Sequence, residues 1–197
     1  KYINMASRFE KNFTEQGYTM KYLNLPGSAY IKNQVLQFLI ELDGISPLIW
    51  RRIQVPSNYN FWDLHVAVQD AMGWTDSHLH HFEIKGKGKR KAERIGIPDF
   101  ERWSELPEVF PGWEIWISAY FNDLGVQATY EYDYGDGWIH HIRLEGYIYR
   151  DPKIKYPVCI GGERACPPED CGGVGGYGNL LAVLSNPEHE EHNEMKV

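Results

Sequence analysis

Long apolar runs are missing from this sequence. Nowhere do about eighteen apolar residues follow one another, so no helix built from it is expected to cross a bilayer. An export signal is missing too: the opening "KYINMASRFEKNF" has no apolar h-region, and it begins on Lys1, which reads as a piece of a longer chain. Cysteine is scarce. The three thiols are an odd number in a chain without an export signal, so they are expected to stay reduced in the cytoplasm and not to form a disulfide framework. Basic charge is short as well, with 20 Lys and Arg against 27 Asp and Glu and a net charge of −7. Duplex binding rests on neutralising phosphates, and the global field here works against it. Neither a P-loop nor a dinucleotide fingerprint occurs, and there is no internal repeat or low-complexity tract.

Aromatic residues, by contrast, are abundant: 7 Trp, 13 Tyr and 8 Phe. They imply a well-filled core or a stacking surface. With 43% hydrophobic and 24% charged residues, the 197-residue chain has ordinary globular composition and suits one folded domain. Residues 1–33, broken by the Pro-Gly pair in "NLPGSAY", read as an N-terminal arm, and residues 34–197 as the domain.

Alternation over residues 33–44 and the β-branched "LIWRRIQV" (48–55) predict a hairpin about the turn "GISP". "NFWDLHVAVQDAMGW" (60–74) predicts a helix, capped by Asn60 with Asp63 three residues on, stopped by Gly73, and buried through Leu64, Val68, Ala71 and Met72. "SHLHHFEIKG" (77–86) reads as a strand with His78, His80, Phe82 and Ile84 on one face. Residues 92–125 carry no clear period. Residues 126–147 predict a second hairpin, with Trp138, His140, Ile142 and Leu144 on one side and Asp136-Gly137 at the turn. A short helix "GYGNLLAVLSN", with Leu180, Leu181 and Leu184 inward, precedes a final acidic helix started by Asn186 and Pro187. This order describes an α+β fold, a mostly antiparallel sheet with a few packed helices. Its first four elements follow the order of a β-grasp, as fold analogy alone.

The segment "CIGGERACPPEDCGG" (159–173) holds every cysteine. Zinc takes four converging N or S ligands at about 2.0–2.3 Å, and Cys159, Cys166 and Cys171 offer three. His140, His78 and His80, all expected on apolar faces, offer the rest. Zinc is therefore the cofactor to expect if one is held. The plain alternative is packing thiols and satisfied histidines, because spacings of six and four residues lack the tight C-x2-C knuckle. A redox pair is disfavoured by the same absence, and Cys166 ahead of Pro167-Pro168 is a weaker candidate nucleophile. Asp133 and Asp136 flank the turn "DYGDGW", where turn chemistry competes with acid–base work as their reason. Trp50, Arg51 and Arg52, with Lys85, Lys87, Lys89, Arg90 and Lys91, are the only basic clusters that would hold phosphates and stack bases; a solvated surface is the alternative. His189 and His192, among four glutamates, offer a cation site or a solvated helix.

"GISPLIWRRIQVPSN", "FWDLHVAVQDAMGW", "HLHHFEI", "YEYDYGDGWIHHIRLE" and "YPVCIGGERACPPEDCGGVGGY" occur in this order. Together they resemble the plasmid pRi open-reading-frame-three-like family over about residues 34–192. The resemblance implies no established activity. Resolvase-like labels on some members, and a repressor-type domain joined to at least one, imply mobile elements and DNA transactions. A recombinase nucleophile needs arginines around it, and Ser7 has Arg8 alone beside it. The expectation is thus a cytosolic binding or accessory module with an unidentified protein or DNA partner and no membrane, its Cys/His loop structural or zinc-bound. The alternatives are a metal-dependent hydrolase with Glu169 or Asp170 as general base, and a DNA-binding accessory protein.

Overall fold

Asn60 opens the most fully specified element of the chain. In the computed structural model, which describes residues 34–86, 88, 91–98 and 108–196, its side chain accepts from the Asp63 amide at 2.8 Å. The Asp63 carboxylate accepts from the Asn60 amide at 3.1 Å in return. This capping box satisfies two orphan amides at the start of helix α1 (Phe61–Met72). Gly73 ends it in the left-handed conformation, φ 86°, which costs a glycine nothing. Leu64, Val68 and Met72 are buried as the spacing predicts and Ala71 is half-buried; Phe61 and Ala67 complete the buried stripe, together with two polar residues, His65 and Gln69.

Among the described residues eight strands form one mixed sheet in the order β5-β4-β3-β6-β7-β1-β2-β8. β1 (Gln34–Leu42) pairs antiparallel with β2 (Ile49–Pro56) on one side and with β7 (Trp138–Tyr149) on the other. β6 (Gln127–Tyr132) joins β7 to β3 (His80–Ile84), and β3 pairs in turn with β4 (Glu93–Gly96). β5 (Val109–Pro111) lies parallel to β4 at one edge, and β8 (Val158–Glu163) closes the other edge on β2. The chain is α+β. β3 stands beyond β7 and β6 from the first hairpin, not beside it.

One face of the sheet carries Leu36, Phe38, Ile40, Ile53, Val55, Phe82, Tyr130, Trp138 and Ile142, packed under α1. Full burial of each apolar side chain of this size contributes about 1.5–3 kcal/mol. The opposite face keeps a polar ladder. Gln54 donates to Gln37, Gln37 donates to Glu145, and Arg52 grips Glu145 through Nε at 2.6 Å and a terminal nitrogen at 3.0 Å.

Helix α2 (Gly173–Ser185) packs Tyr177, Leu180 and Val183 inward, whereas Leu181 is exposed, so the inward face is rotated from the expected leucine set. The predicted acidic helix after Asn186 is instead a chain of turns, with His189 N donating to the Asn186 carbonyl and His192 N to the His189 carbonyl. Its cap signal is sound, but Glu188, Glu190, Glu191 and Glu194 leave it no apolar stripe to bury, and a short helix without tertiary packing is marginal. The unclear stretch supplies β4, β5 and two single turns of tight helix, Gly112–Glu114 and Ile117–Ala119. Among the described residues no helix is long and apolar enough to cross a membrane.

Candidate functional site

Three short segments converge where β3 begins. The first is the link from α1 to β3, residues 73–79. Asp76 adopts φ 56° in it, and His78 lies two residues before β3 begins, its ring against that of Tyr132 with centroids 5.8 Å apart. The second is the β6–β7 turn, held by a bond of 2.6 Å from the Gly137 amide to the Asp133 carbonyl, with Asp133 at φ 56° and Gly137 at φ 69°. The third is the loop 164–172, where Asp170 has φ 57°. Aspartate tolerates this region better than most residues, because its short side chain bonds to nearby amides. Asp133 Oδ1 does so, accepting from Gly135 N at 3.0 Å.

The second oxygen of Asp133 is left to face His78. His78 Nε2 lies 3.6 Å from Asp133 Oδ2 and 3.1 Å from Asp170 Oδ1. All three ligand atoms stand within 4.8 Å of one another. The ring nitrogen is shielded from solvent, yet neither carboxylate meets it with hydrogen-bond alignment. Two ligands of a tetrahedral ion bound at about 2.1 Å stand ~3.4 Å apart, so the observed separations match a chelating set. Asp133 is 10% exposed and Asp170 75%, which leaves the cluster walled on one side and open on the other.

Glu169 stands next to the cluster. It accepts from the Thr75 amide at 3.2 Å and from the hydroxyls of Thr75 and Tyr132. Burial by itself would raise its pKa, but the bonds from Thr75 and Tyr132 outweigh burial and hold the carboxyl below the usual glutamate range. Burial first, and Glu169 second, push the Tyr132 phenol up. Asp136 Oδ2 accepts from Gly172 N at 3.1 Å and ties the turn to the thiol loop. Gly173 follows at φ 66°, where a Cβ would overlap the Asp136 carbonyl. None of Asp133, Asp136, Glu169 and Asp170 is paired with Arg or Lys among the described residues.

A second cluster lies deeper: His65, Asp76 and His80 also bring ligand atoms within 4.8 Å. Its bonding argues against a metal there. Gln69 donates to the Tyr130 hydroxyl at 3.0 Å, so the phenol proton is free for His65 Nδ1 at 2.8 Å, and His65 Nε2–H then donates to Asp76 at 2.5 Å. Both nitrogens of His65 are thereby engaged. His80 stacks on His65 with centroids 3.5 Å apart and planes 5° apart. An ion shared by two such rings would sit roughly 1.8 Å out of each plane, whereas a ~2.1 Å bond to imidazole wants to lie in it. Burial, then the neighbouring His65 and His81, hold the His80 pKa well below 6.5. The arrangement is a hydrogen-bonded pillar that anchors the link carrying His78.

The sequence placed six residues in one metal set, and the structure divides them. His78 meets two aspartates; His80 and His140 are buried on the core face; Cys159 is exposed on β8; Cys166 and Cys171 pack half-buried against the core. No group of three ligand atoms within 4.8 Å includes a thiol among the described residues. Burial raises the pKa of both Cys166 and Cys171, keeping these thiols protonated at neutral pH.

The basic set is divided as well. Arg51 points to the core side. Its donors go to the carbonyls of Ala71, Trp50, Glu163 and Arg164 and to Cys166 Sγ at 3.0 Å. Arg52 is paired with Glu145 on the open face and lies over the Trp50 ring. Lys91 is exposed, and Lys87, Lys89 and Arg90 lie outside the described residues. His192 Nδ1 donates to the Val183 carbonyl at 3.0 Å and is buried. Sequence reasoning missed His65 and Asp76 altogether. The available signal was a histidine in the apolar stripe of α1, one turn after Phe61 and one turn before Gln69.

Comparison with known proteins places the chain in a family. The family model described as plasmid pRiA4b ORF-3-like protein matches residues 34–197. The chain is 34% identical over 161 residues to "Uncharacterized protein y4hQ" of Sinorhizobium fredii (strain NBRC 101917 / NGR234), covering 81% of this chain and 78% of that protein. Among solved structures it is similar to a protein of unknown function, MM3350, from Methanosarcina mazei Go1. The identity is 39% and the TM-score 0.73, with 83% of this chain and 88% of that one covered.

Proposed function

The chain belongs to the plasmid pRiA4b ORF-3-like family, and we propose that its domain is a cytosolic binding module that holds one divalent cation between His78, Asp133 and Asp170. One observation carries this reading. A solvent-shielded imidazole nitrogen faces two carboxylate oxygens at chelating distance and bonds to neither. One nitrogen and two oxygens suit zinc, manganese or ferrous iron better than calcium or magnesium, which prefer all-oxygen sites. A zinc site drawn from Cys159, Cys166, Cys171 and His140 has less support, since no three of these ligand atoms lie within 4.8 Å of one another. A DNA-binding accessory role also has less, since Arg51 and Arg52 already have partners within the domain.

Titration with Mn2+ and Zn2+ by calorimetry tests the proposal, with metal content read by elemental mass spectrometry after dialysis. One ion per chain is expected, with affinity weakened at least ~10-fold in His78→Ala, Asp133→Asn and Asp170→Asn. Cation binding unchanged in all three variants, or no binding to the folded wild type, would refute it.

Glu169 favours a second reading, a metal-dependent hydrolase. Three donors fix its carboxylate beside Asp170 and leave one of about four lone-pair positions for the proton of an attacking water. Glu169→Gln separates the two readings: a hydrolase loses turnover with cation affinity kept, whereas a pure binding module has no turnover to lose.

A further inference from the structure

We infer that Tyr134 is a nucleophile that accepts an acyl group from an activated ester, with His81 as its base and Glu131 behind the ring. This site stands apart from the cation cluster, on the other face of the sheet. β3 sends His80 into the core beside His65 and sends the next residue, His81, to the opposite face. Glu131 is the residue directly across from His81 on β6. Tyr134 reaches the same ring from the β6–β7 turn, with centroids 5.6 Å apart and its hydroxyl 2.9 Å from His81 Nδ1. Among the described residues one other phenol, that of Tyr130, meets a histidine nitrogen, and it is fully buried. Tyr134 is 47% exposed, so an electrophile in solution reaches it, whereas its base, His81, is buried.

The tautomer of His81 follows from the charge behind it. Glu131 Oε2 lies 3.7 Å from Nε2, so the ring proton is favoured there, facing the carboxylate, and Nδ1 keeps its lone pair for the phenol O–H. Burial, then Arg94, lowers the His81 pKa against smaller upward pulls from Glu131 and Glu83, which keeps the ring neutral at pH 7. A hydroxyl, a base within hydrogen-bond reach and a group that orients the base form the arrangement that activates a nucleophile. In the acyl step the phenol oxygen attacks the ester carbonyl carbon as its proton passes to His81 Nδ1. The bond from that carbon to the leaving group then breaks, and the leaving group departs with the bonding pair and takes up the proton. Tyr134 keeps the acyl group as an aryl ester. Phosphoryl transfer would spread charge over three oxygens and call for a guanidinium or a metal ion. Arg94, the cation that acts on His81, is already held by Glu83 at 3.2 Å.

The test treats the full chain with p-nitrophenyl acetate and reads acetylation of each tyrosine by peptide mass spectrometry. Tyr149, 81% exposed, is the comparison within the same molecule. At pH 7.5 Tyr134 is expected to acetylate at least ~10-fold faster than Tyr149, a modest share of what a positioned base contributes. Its rate should level off by about pH 7, once His81 is neutral, while that of Tyr149 keeps rising towards a phenol pKa of about 10. His81→Phe is expected to remove the excess at Tyr134 and leave Tyr149 unchanged. The pH profile is read on the wild type, so the inference stays open to refutation even if that variant fails to fold. Equal rates at Tyr134 and Tyr149, or a Tyr134 profile still rising at pH 9, would overturn the inference. So would undiminished labelling in folded His81→Phe, or faster transfer to Tyr134 from p-nitrophenyl phosphate than from the acetate.

Discussion

Acid should destabilise this domain through His140 before most of its carboxylates titrate. The ring is fully buried beside Trp74 and Tyr130, and its Nδ1 reaches the Tyr130 carbonyl at only 3.4 Å. Burial lowers its pKa from 6.5 to about 4, against a smaller upward pull from the backbone carbonyls. The direction of the effect follows from proton uptake. Below pH 6.5 the unfolded chain takes up a proton that the folded ring refuses until about pH 4, so stability is present above 6.5 and lost as pH falls towards 4. From about pH 7.5 to about pH 4.5 the loss from this one group is roughly 2.5 kcal/mol. The His80 pKa is lowered in the same direction, so the total is larger. Urea unfolding across this range, on the wild type and on His140→Phe, reads the effect. The variant should lose about 2.5 kcal/mol less than the wild type over the same interval. Parallel stability curves for the two proteins, or a His140 ring titrating near 6.5 by NMR, would refute the reasoning.

Two further outcomes follow from the loop that carries Asp170. Gly173→Ala places a Cβ against the Asp136 carbonyl at a left-handed backbone position, and should destabilise the domain by about 1–3 kcal/mol in thermal unfolding and weaken cation affinity as Asp170 shifts. Arg51→Lys cannot reproduce a guanidinium fork that reaches four carbonyls and a sulfur, and should cost about 1–3 kcal/mol and speed the reaction of Cys166 with a thiol reagent.

Elements written by local rules were legible. Asn60, Asp63 and Gly73 mark both ends of α1, alternation marks β1, β6 and β7, and β-branched residues mark β2. β8 was not legible. "VCIGGE" has two glycines, no alternation and weak strand propensity, so nothing local asks it to extend. It becomes a strand because β2 presents an unpaired edge, and pairing runs from Gln54 opposite Val158 to Trp50 opposite Glu163. That partner lies about a hundred residues away in the chain, beyond the reach of any sequence window. The failed helix after Asn186 is the converse case, a sound local signal without an apolar face to anchor it.

The site shows the same division, with one added lesson in Asp133. The sequence poses a choice for it between turn residue and functional carboxylate. The two readings do not compete, because a carboxylate has two oxygens. Oδ1 accepts from the Gly135 amide and fixes the left-handed turn; Oδ2, aimed by that same turn, faces His78. Asp76 and Asp170 repeat the device at φ 56° and 57°. Asp76 turns the link that delivers His78 while its oxygen receives His65, and Asp170 kinks the thiol loop while its own oxygen meets His78. Three left-handed aspartates thus set the backbone and the chemistry with the same side chains. Substituting any of them by glycine would relieve the backbone and remove the ligand or anchor, whereas asparagine keeps the turn and removes the charge. Comparing the two substitutions at Asp133 therefore separates the stability of the turn from the affinity of the site.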